Sequence, residues 1–286
     1  MDTSVIPSYV VAVVLLAALL HASWNALIRG APDKGLYTLM LHGCGAGLAC
    51  MGLLITGWPD AASFPYLLAS GALHTLYIVL LIHAYQEGTL AVSYVLMRGI
   101  APLIVCLAST QILGESLPLY AWAGVLCILT GVMGLTLGSG SSVVQAIKSP
   151  SNRAAIGNSI VIAAYTLVDG QGARISGNPL AYVLTLTLLE TLLILGYTLR
   201  TRPQEFLQYI RRHWPLGVLG GAISMGSYAM SLWAMTLAPI AIVATLRESS
   251  VIFAVLISAL WFKEGRLRTG LIAAAVVLAG IVLIRL

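Results

Sequence analysis

The chain has 286 residues, of which 59% are hydrophobic and only 9% charged, and its formal net charge is +5. Soluble domains carry about 25% charged residues, so this composition cannot furnish a water-exposed surface, and lipid is the solvent it fits. The basic residues lie in short segments between apolar runs, where they orient a membrane protein and do not mark a nucleic-acid partner.

A hydrocarbon core about 30 Å thick needs roughly 20 helical residues. By that rule the chain divides into ten predicted spans, at 7–28, 36–57, 64–85, 90–112, 118–138, 154–173, 179–199, 215–237, 240–262 and 268–285. The expected fold is all-α, a multi-pass integral membrane protein, with the bacterial inner membrane as its expected location. The first span has no basic segment before it, and its apolar run continues beyond Ala18 into His21, Trp24 and Asn25, so it reads as a retained span and not as a signal peptide. Most connections are short and marked by Pro or Gly. Two are longer. Gly138 to Asn152 is rich in Gly and Ser, so residues 139–153 read as a linker between a first five-helix repeat (1–138) and a second (154–286). Arg200 to Trp214 alternates Arg with Phe206, Leu207 and Ile210 and is expected to lie along the membrane interface. Cys44, Cys50, Cys106 and Cys127 fall inside apolar segments without metal-ligand spacing and read as buried thiols, so neither a metal nor another cofactor is expected.

One stretch occurs twice. Shifting the chain by 149 residues places Arg98 on Arg247, Glu115 on Glu264 and Gly131 on Gly280. Five spans per half is an odd number, so homologous halves must cross the membrane in opposite directions. That is an inverted repeat, an architecture typical of secondary transporters with a binding site near the midplane. Orientation follows from Lys and Arg. Segments after odd-numbered spans hold Arg29, Lys34, Lys148, Arg153, Arg200, Arg202, Arg211, Arg212, Lys263, Arg266 and Arg268; those after even-numbered spans, with the termini, hold only Arg174 and Arg285. The count places both termini outside the cytoplasm.

Ionisable side chains within a span cost about 2.5–3.5 kcal/mol on insertion scales and so need a wet cavity or a partner. Five fall inside the predicted spans: Arg98, Asp169, Glu190, Arg247 and Glu248. The repeat sets Arg98 and Arg247 on opposing sides of one space, where two guanidinium groups can clamp a carboxylate or phosphonate. Each can instead pair internally and brace helices. His21, Trp24 and Asn25 share one face of span one, and His74, Tyr77, Leu81 and Tyr85 one face of span three. Asn158, Tyr165 and Asp169 align on span six, and Ser224, Ser227 and Ser231 on span eight, beside Tyr228 and Trp233. Aromatic rings with a few polar groups line small-molecule cavities, although Tyr and Trp near span ends also suit an interface belt. His21, His74, Asp169 and Glu190 can change charge in a transport cycle, with Asp169 the leading proton-coupling candidate and Glu190 and Glu248 further ones. Glu115 and Glu264 read as structural, capping the following helix or orienting the turn. Gly124, Gly131, Gly134, Gly270 and Gly280 suit close helix packing.

The sequence resembles the EamA-type members of the drug/metabolite transporter superfamily, through Leu113-Gly114-Glu115 with Gly124 and Gly131-Val132, and Phe262-Lys263-Glu264 with Gly280-Ile281. The resemblance covers nearly the whole chain. It implies a helical carrier that moves amino acids or other small metabolites without ATP, through a cavity lined by spans one, three, four, six, eight and nine. Those spans contain His21, Trp24, Asn25, His74, Tyr77, Arg98, Tyr165, Asp169, Tyr228, Arg247 and Glu248. Members of the family commonly keep their termini in the cytoplasm, against the Lys/Arg count. His21-Ala22-Ser23-Trp24-Asn25 is also similar to a stretch in relatives associated with phosphonate use.

The expected function is a secondary active transporter of a small zwitterionic or anionic metabolite, of amino-acid or aminophosphonate type, working by alternating access. The alternatives are an exporter of cationic or amphiphilic compounds that uses Asp169, Glu248 and aromatic residues, or a non-transporting membrane scaffold. No His-Glu-x-x-His and no Gly-x-Ser-x-Gly pattern supports an enzyme. The expected partners are the substrate, the bilayer and protons, with the chain a monomer or a homodimer.

Overall fold

A computed structural model describes residues 6–86, 90–137, 150–201, 203–261 and 267–284. The expected linker between the repeats falls largely outside the described residues, as does Glu264. Among the described residues there is no strand, and eleven α-helices follow one another: α1 (Ser8–Gly30), α2 (Lys34–Thr56), α3 (Phe64–Gln86), α4 (Leu90–Ile112), α5 (Leu119–Leu137), α6 (Pro150–Ile175), α7 (Pro179–Thr201), α8 (Pro203–Leu237), α9 (Ile240–Arg247), α10 (Ser250–Leu260) and α11 (Leu267–Ile284). Their boundaries follow local chemistry. Asp33 accepts from Leu36 N at 2.9 Å and caps α2, Asn178 Oδ1 accepts from Leu180 N and Ala181 N at the start of α7, and Pro precedes α1 and α9. Five segments, Ser8–Gly30, Lys34–Thr56, Ala61–Leu80, Pro203–Leu237 and Ile240–Leu260, are long and apolar enough to cross a membrane.

Nine of the ten expected spans are single helices. The ninth is not: α9 and α10 together make one crossing, broken at Glu248 and Ser249. Glu248 N, Ser249 N, Val251 N and Ile252 N each bond the carbonyl three residues back, the tighter 3-10 pattern that marks a hinge in a helix. The equivalent place in α4 is weakened in another way. Pro102 has no N–H to give the carbonyl of residue 98. Both halves therefore loosen the helical ladder beside the repeated arginine.

The stretch from Arg200 to Trp214 corrects a second expectation. Pro215 does not end a helix there; α8 runs through it for 35 residues, about 52 Å at 1.5 Å per residue, against a core of about 30 Å. Its first turns therefore project beyond the core instead of lying flat. They are held upright by Phe206, buried against Leu36, Tyr37, Met40 and Leu41 of α2, and by Tyr37 Oη donating to Leu216 O at 3.0 Å.

The two halves pack as related copies. Helix α1 packs on α8 as α6 packs on α3; α4 packs on α6 as α9 and α10 pack on α1; α2 meets α7, and α5 meets α11. The 149-residue offset recurs in space. Thr191 Oγ1 donates to His42 O at 3.3 Å and Cys127 Sγ to Val276 O at 3.2 Å, both pairs separated by 149 residues. Contacts between equivalent residues can occur only along the axis that relates the halves, so the axis runs between α2 and α7 and between α5 and α11. On it, a Cβ added to Gly124 would meet Gly280 O at 2.6 Å and one on Gly280 would meet Gly124 O at 2.7 Å; away from it, where α2 meets α8, one on Gly221 would meet Gly45 N at 2.8 Å. Backbones approach this closely in membranes only where side chains are absent. Gly280→Ala is expected to part α5 from α11 and destabilise the protein by about 1–3 kcal/mol, read as a lower melting temperature in detergent. Gly134→Ala, which meets open space, leaves it unchanged.

Candidate functional site

Three of the ionisable residues of the spans, Asp169, Glu190 and Arg247, converge where α3, α6, α7, α8 and α9 meet. Asp169 on α6 is fully buried. Tyr182 Oη of α7 donates to its Oδ1 at 2.9 Å, and Tyr228 Oη of α8 donates to its Oδ2 in a short hydrogen bond. Room for this comes from glycine. A Cβ on Gly172 would lie 2.5 Å from the Tyr182 ring and one on Gly170 2.5 Å from Ile240 Cδ1, so α6 admits α7 and α9 close to Asp169. Ser70 and His74 of α3 also lie near enough to act on this carboxylate.

His74 is the hub of the cluster. Its Nδ1 is 3.0 Å from Ser70 O, 3.1 Å from Ser70 Oγ and 3.3 Å from Glu190 Oε1 of α7. Its ring stacks on Tyr165 at 4.2 Å between centroids, and Tyr77 meets Tyr165 edge-on at 6.0 Å. Tyr228 stands edge-on to His74 at 6.4 Å and carries the Arg247 guanidinium 5.4 Å from its ring centroid, a cation–π arrangement. Acidic and basic ends are thus set on either side of a wall of rings. Glu190 pairs with a histidine here.

Depth follows from the helix register. His74, Tyr165 and Glu190 lie ten or eleven residues from the helix ends nearest them on that side, about 15 Å along the axis, close to mid-core. Asp169 is six residues from the end of α6, only about 9 Å in, and so sits between the centre and one mouth.

That mouth is closed by a cross-half contact. Glu115, after α4, accepts from Arg174 Nη2 at 2.7 Å and from Ile240 N at 3.0 Å, so it caps α9 and not the following helix α5. Arg174 in turn donates to Met235 O at 2.8 Å and Ala238 O at 3.1 Å at the end of α8. Every residue from Ile240 to Leu246 is buried, whereas positions 252–259 of α10 are half-exposed on all faces. The bundle is therefore sealed at the Glu115–Arg174 end and looser at the Lys/Arg-rich end. Replacing Glu115 with Ala strands Arg174 and uncaps α9, and is expected to cost about 3 kcal/mol; Glu115→Gln, which still accepts from Ile240 N, costs less in the same melting assay.

The other predicted residues lie apart. His21 and Trp24 meet edge-on at 5.2 Å, Asn25 Nδ2 donates to His21 O within α1, and Trp24 packs beside Leu36 and Tyr37. Asn158, buried on α6, donates to Met97 Sδ of α4 at 3.2 Å. Glu248 is buried at the helix break. The side chain of Arg98 lies outside the described residues. Tyr182, Ser70 and His42 were not singled out by sequence. His42 of α2 adjoins His74, and its polar neighbours become visible only when three helices are brought together.

The family model described as the EamA-like transporter family matches residues 8–137 and again 152–286. A solved crystal structure of a protein is similar in fold, with a TM-score of 0.71 over 97% of each chain at 18% identity; at that identity the likeness concerns the fold alone. No curated protein matches the chain.

Proposed function

The chain belongs to the EamA-like transporter family, and from that membership we propose that it is a secondary active transporter of a small zwitterionic metabolite, of amino-acid or aminophosphonate type. Its family and apolar helices make it a multi-pass integral membrane protein; the bacterial inner membrane is the location that suits the proposal. Residues 1–138 and 154–286 are proposed as the two repeats that rock about the axis between them.

One observation carries the substrate class. The Arg247 guanidinium and the Glu190 and Asp169 carboxylates flank the same cluster of rings, an arrangement that suits a molecule with an acid at one end and an amine at the other. A guanidinium binds carboxylate or phosphonate in a bidentate fork, and we assign Arg98 the matching role from the other half. Glu190 takes the amine, with Tyr165, Tyr228 and Tyr77 offering ring faces to it. The sealed Asp169 holds Tyr228 in place. His21, Trp24 and Asn25 are proposed to line the approach from the looser end. A cationic, amphiphilic substrate is the second reading, favoured by the two carboxylates and four aromatic rings.

A thermal-shift screen of the detergent-purified chain separates the two readings, because a ligand of the native state raises its apparent stability. L-Leucine or 2-aminoethylphosphonate is expected to stabilise the wild type and not Arg247→Gln. Stabilisation by tetramethylammonium alone, unchanged in that variant, would favour the cationic reading.

A further inference from the structure

The contact at the sealed mouth has one member from the first matched segment, Glu115, and all its other members from the second. Glu115 is fixed to the end of α4. Leu113 N and Glu115 N both donate to Ser109 O, at 3.1 and 3.2 Å, and Gly114 between them has a φ of 66°, a left-handed conformation that glycine adopts freely. Where α4 moves, Glu115 moves with it. Its carboxylate reaches across to Arg174 Nη2 at 2.7 Å, Ile240 N at 3.0 Å and Ala241 N at 3.5 Å. Arg174 in turn holds Met235 O and Ala238 O. The contact therefore ties α4 to the corner where α8 ends and α9 begins. Helices α4 and α9 are the ones that carry the repeated arginines, Arg98 and Arg247.

Three features make this a contact that can be broken and remade. The first is its place. Helix α6 has 26 residues, about 39 Å at 1.5 Å per residue, and Arg174 is its last but one. That exceeds a core of about 30 Å, so the pair stands at the water's edge, its side chains 27% and 9% exposed. Both charges can be hydrated when they part, as a mid-core pair cannot. The second is the division of its bonds. If α4 withdraws, only the bonds to Glu115 are lost. Arg174 keeps its two carbonyls, and Ile240 N and Ala241 N are first-turn amides of the kind that water also satisfies. The third is the direction of the charges. A carboxylate lies at the N-terminus of α9 and a guanidinium at the C-terminus of α8, each matched to its helix dipole, so the contact re-forms favourably whenever the two halves return.

We infer that the Glu115–Arg174 contact is the gate of this mouth. It is made when the mouth is closed, as here, and broken when the mouth opens. Its strength sets how the molecule divides between the state open to one side and the state open to the other. The inference rests on the transporter reading and not on any substrate class. Because the halves rock as units, release at this end draws the looser, Lys/Arg-rich end together. A contact that only braced the fold would loosen its own end and leave the far end as it was.

Hydrogen–deuterium exchange of the full-length chain in phosphatidylcholine nanodiscs, without ligand, reads both ends at once. Glu115→Gln removes the charge facing Arg174 and still accepts from Ile240 N. One charge-assisted hydrogen bond shifts a two-state balance by about tenfold, so exchange across 235–245 is expected to rise by about that factor. Exchange across 250–260 is expected to fall about twofold as that population moves to the other state. Arg174→Gln breaks the same contact from its other side and repeats both changes. Asn178→Ala uncaps α7 at the same mouth without touching the other half; it raises exchange across 178–183 alone. A rise at 235–245 with no fall at 250–260 makes the contact a brace and overturns the gate, and so does no change at either end; both leave the transporter reading standing. Where Glu115→Gln does not fold, judged by its melting curve, Glu115→Asp, charged but one methylene shorter, is read in its place by the same two criteria. Absence of flux for every solute tried in wild-type proteoliposomes removes the transporter reading, and the gate with it.

Discussion

Asp169→Asn is expected to reduce transport by up to about 100-fold while the protein still inserts and folds. The carboxylate is isosteric with the amide, so packing against Gly170 and Gly172 is unchanged, but its hydrogen bonding is not. Both Tyr182 and Tyr228 donate to it, and an amide offers one oxygen and a pair of donors in place of two acceptors. One phenol must then accept from the amide N–H instead of donating to a carboxylate oxygen, a weaker bond. Hydrogen bonds to a charged group are worth about 1.5–3 kcal/mol, and losing one such bond from the productive state alone is one to two decades. Tyr228 is the phenol with consequences, because its ring lies between His74 and the Arg247 guanidinium; when its anchor weakens, the common wall of the acid and amine ends of the site loosens. Tyr182→Phe removes one donor and leaves Tyr228 in place, so it is expected to cost about tenfold. Flux in proteoliposomes at matched protein content is the measurement. A loss in Tyr182→Phe as large as in Asp169→Asn would mean that the carboxylate serves the packing of α6 on α7 and not the site.

Arg247→Gln carries the second large effect. The affected molecules are those with an acidic group, whose affinity is expected to fall about 10- to 100-fold, the worth of a charge-assisted hydrogen bond pair. Lysine restores only part of this, because an ammonium is a point charge without the planar fork. Position matters as much as charge. Arg247 is the last residue of α9, directly before the break at Glu248 and Ser249, so a ligand held there is held by the hinge of the ninth crossing. Simple amines lacking an acid group are expected to keep their affinity in Arg247→Gln, and calorimetry with ethylamine beside 2-aminoethylphosphonate checks the split. Equal losses for both would make Arg247 a brace for Tyr228 alone.

What the sequence discloses and what it withholds divide along physical lines. Span positions were legible because bilayer thickness fixes the length of an apolar helix, and the repeat was legible because Arg98 and Arg247 stand at the same distance from Glu115 and Glu264. Asp169, His74, Tyr165, Tyr228 and Arg247 could be named because charge and aromatic polarity are conspicuous in an apolar helix. Tyr182 could not, since a tyrosine three residues into a span looks like an interfacial anchor until its partner thirteen residues back is seen in the fold. Arg174 counted as a loop cation, yet it is spent on Glu115 and two carbonyls. The break at Glu248 and Ser249 was hidden because the run from Ile240 to Leu260 is apolar enough to pass for one helix. Glu115 was read as capping its own neighbour; its true partner, α9, is in the other half and 125 residues away, a distance no local pattern spans.

The central claim is that the chain carries a zwitterion through the Arg247–Glu190 site. Counterflow of radiolabelled L-leucine and 2-aminoethylphosphonate in proteoliposomes, comparing wild type with Arg247→Gln, tests it most directly. The account predicts label accumulation for at least one of the two in wild-type vesicles and its disappearance in Arg247→Gln of unchanged melting temperature. Accumulation that is equal in both proteins, or absent from wild-type vesicles for both compounds, would contradict it.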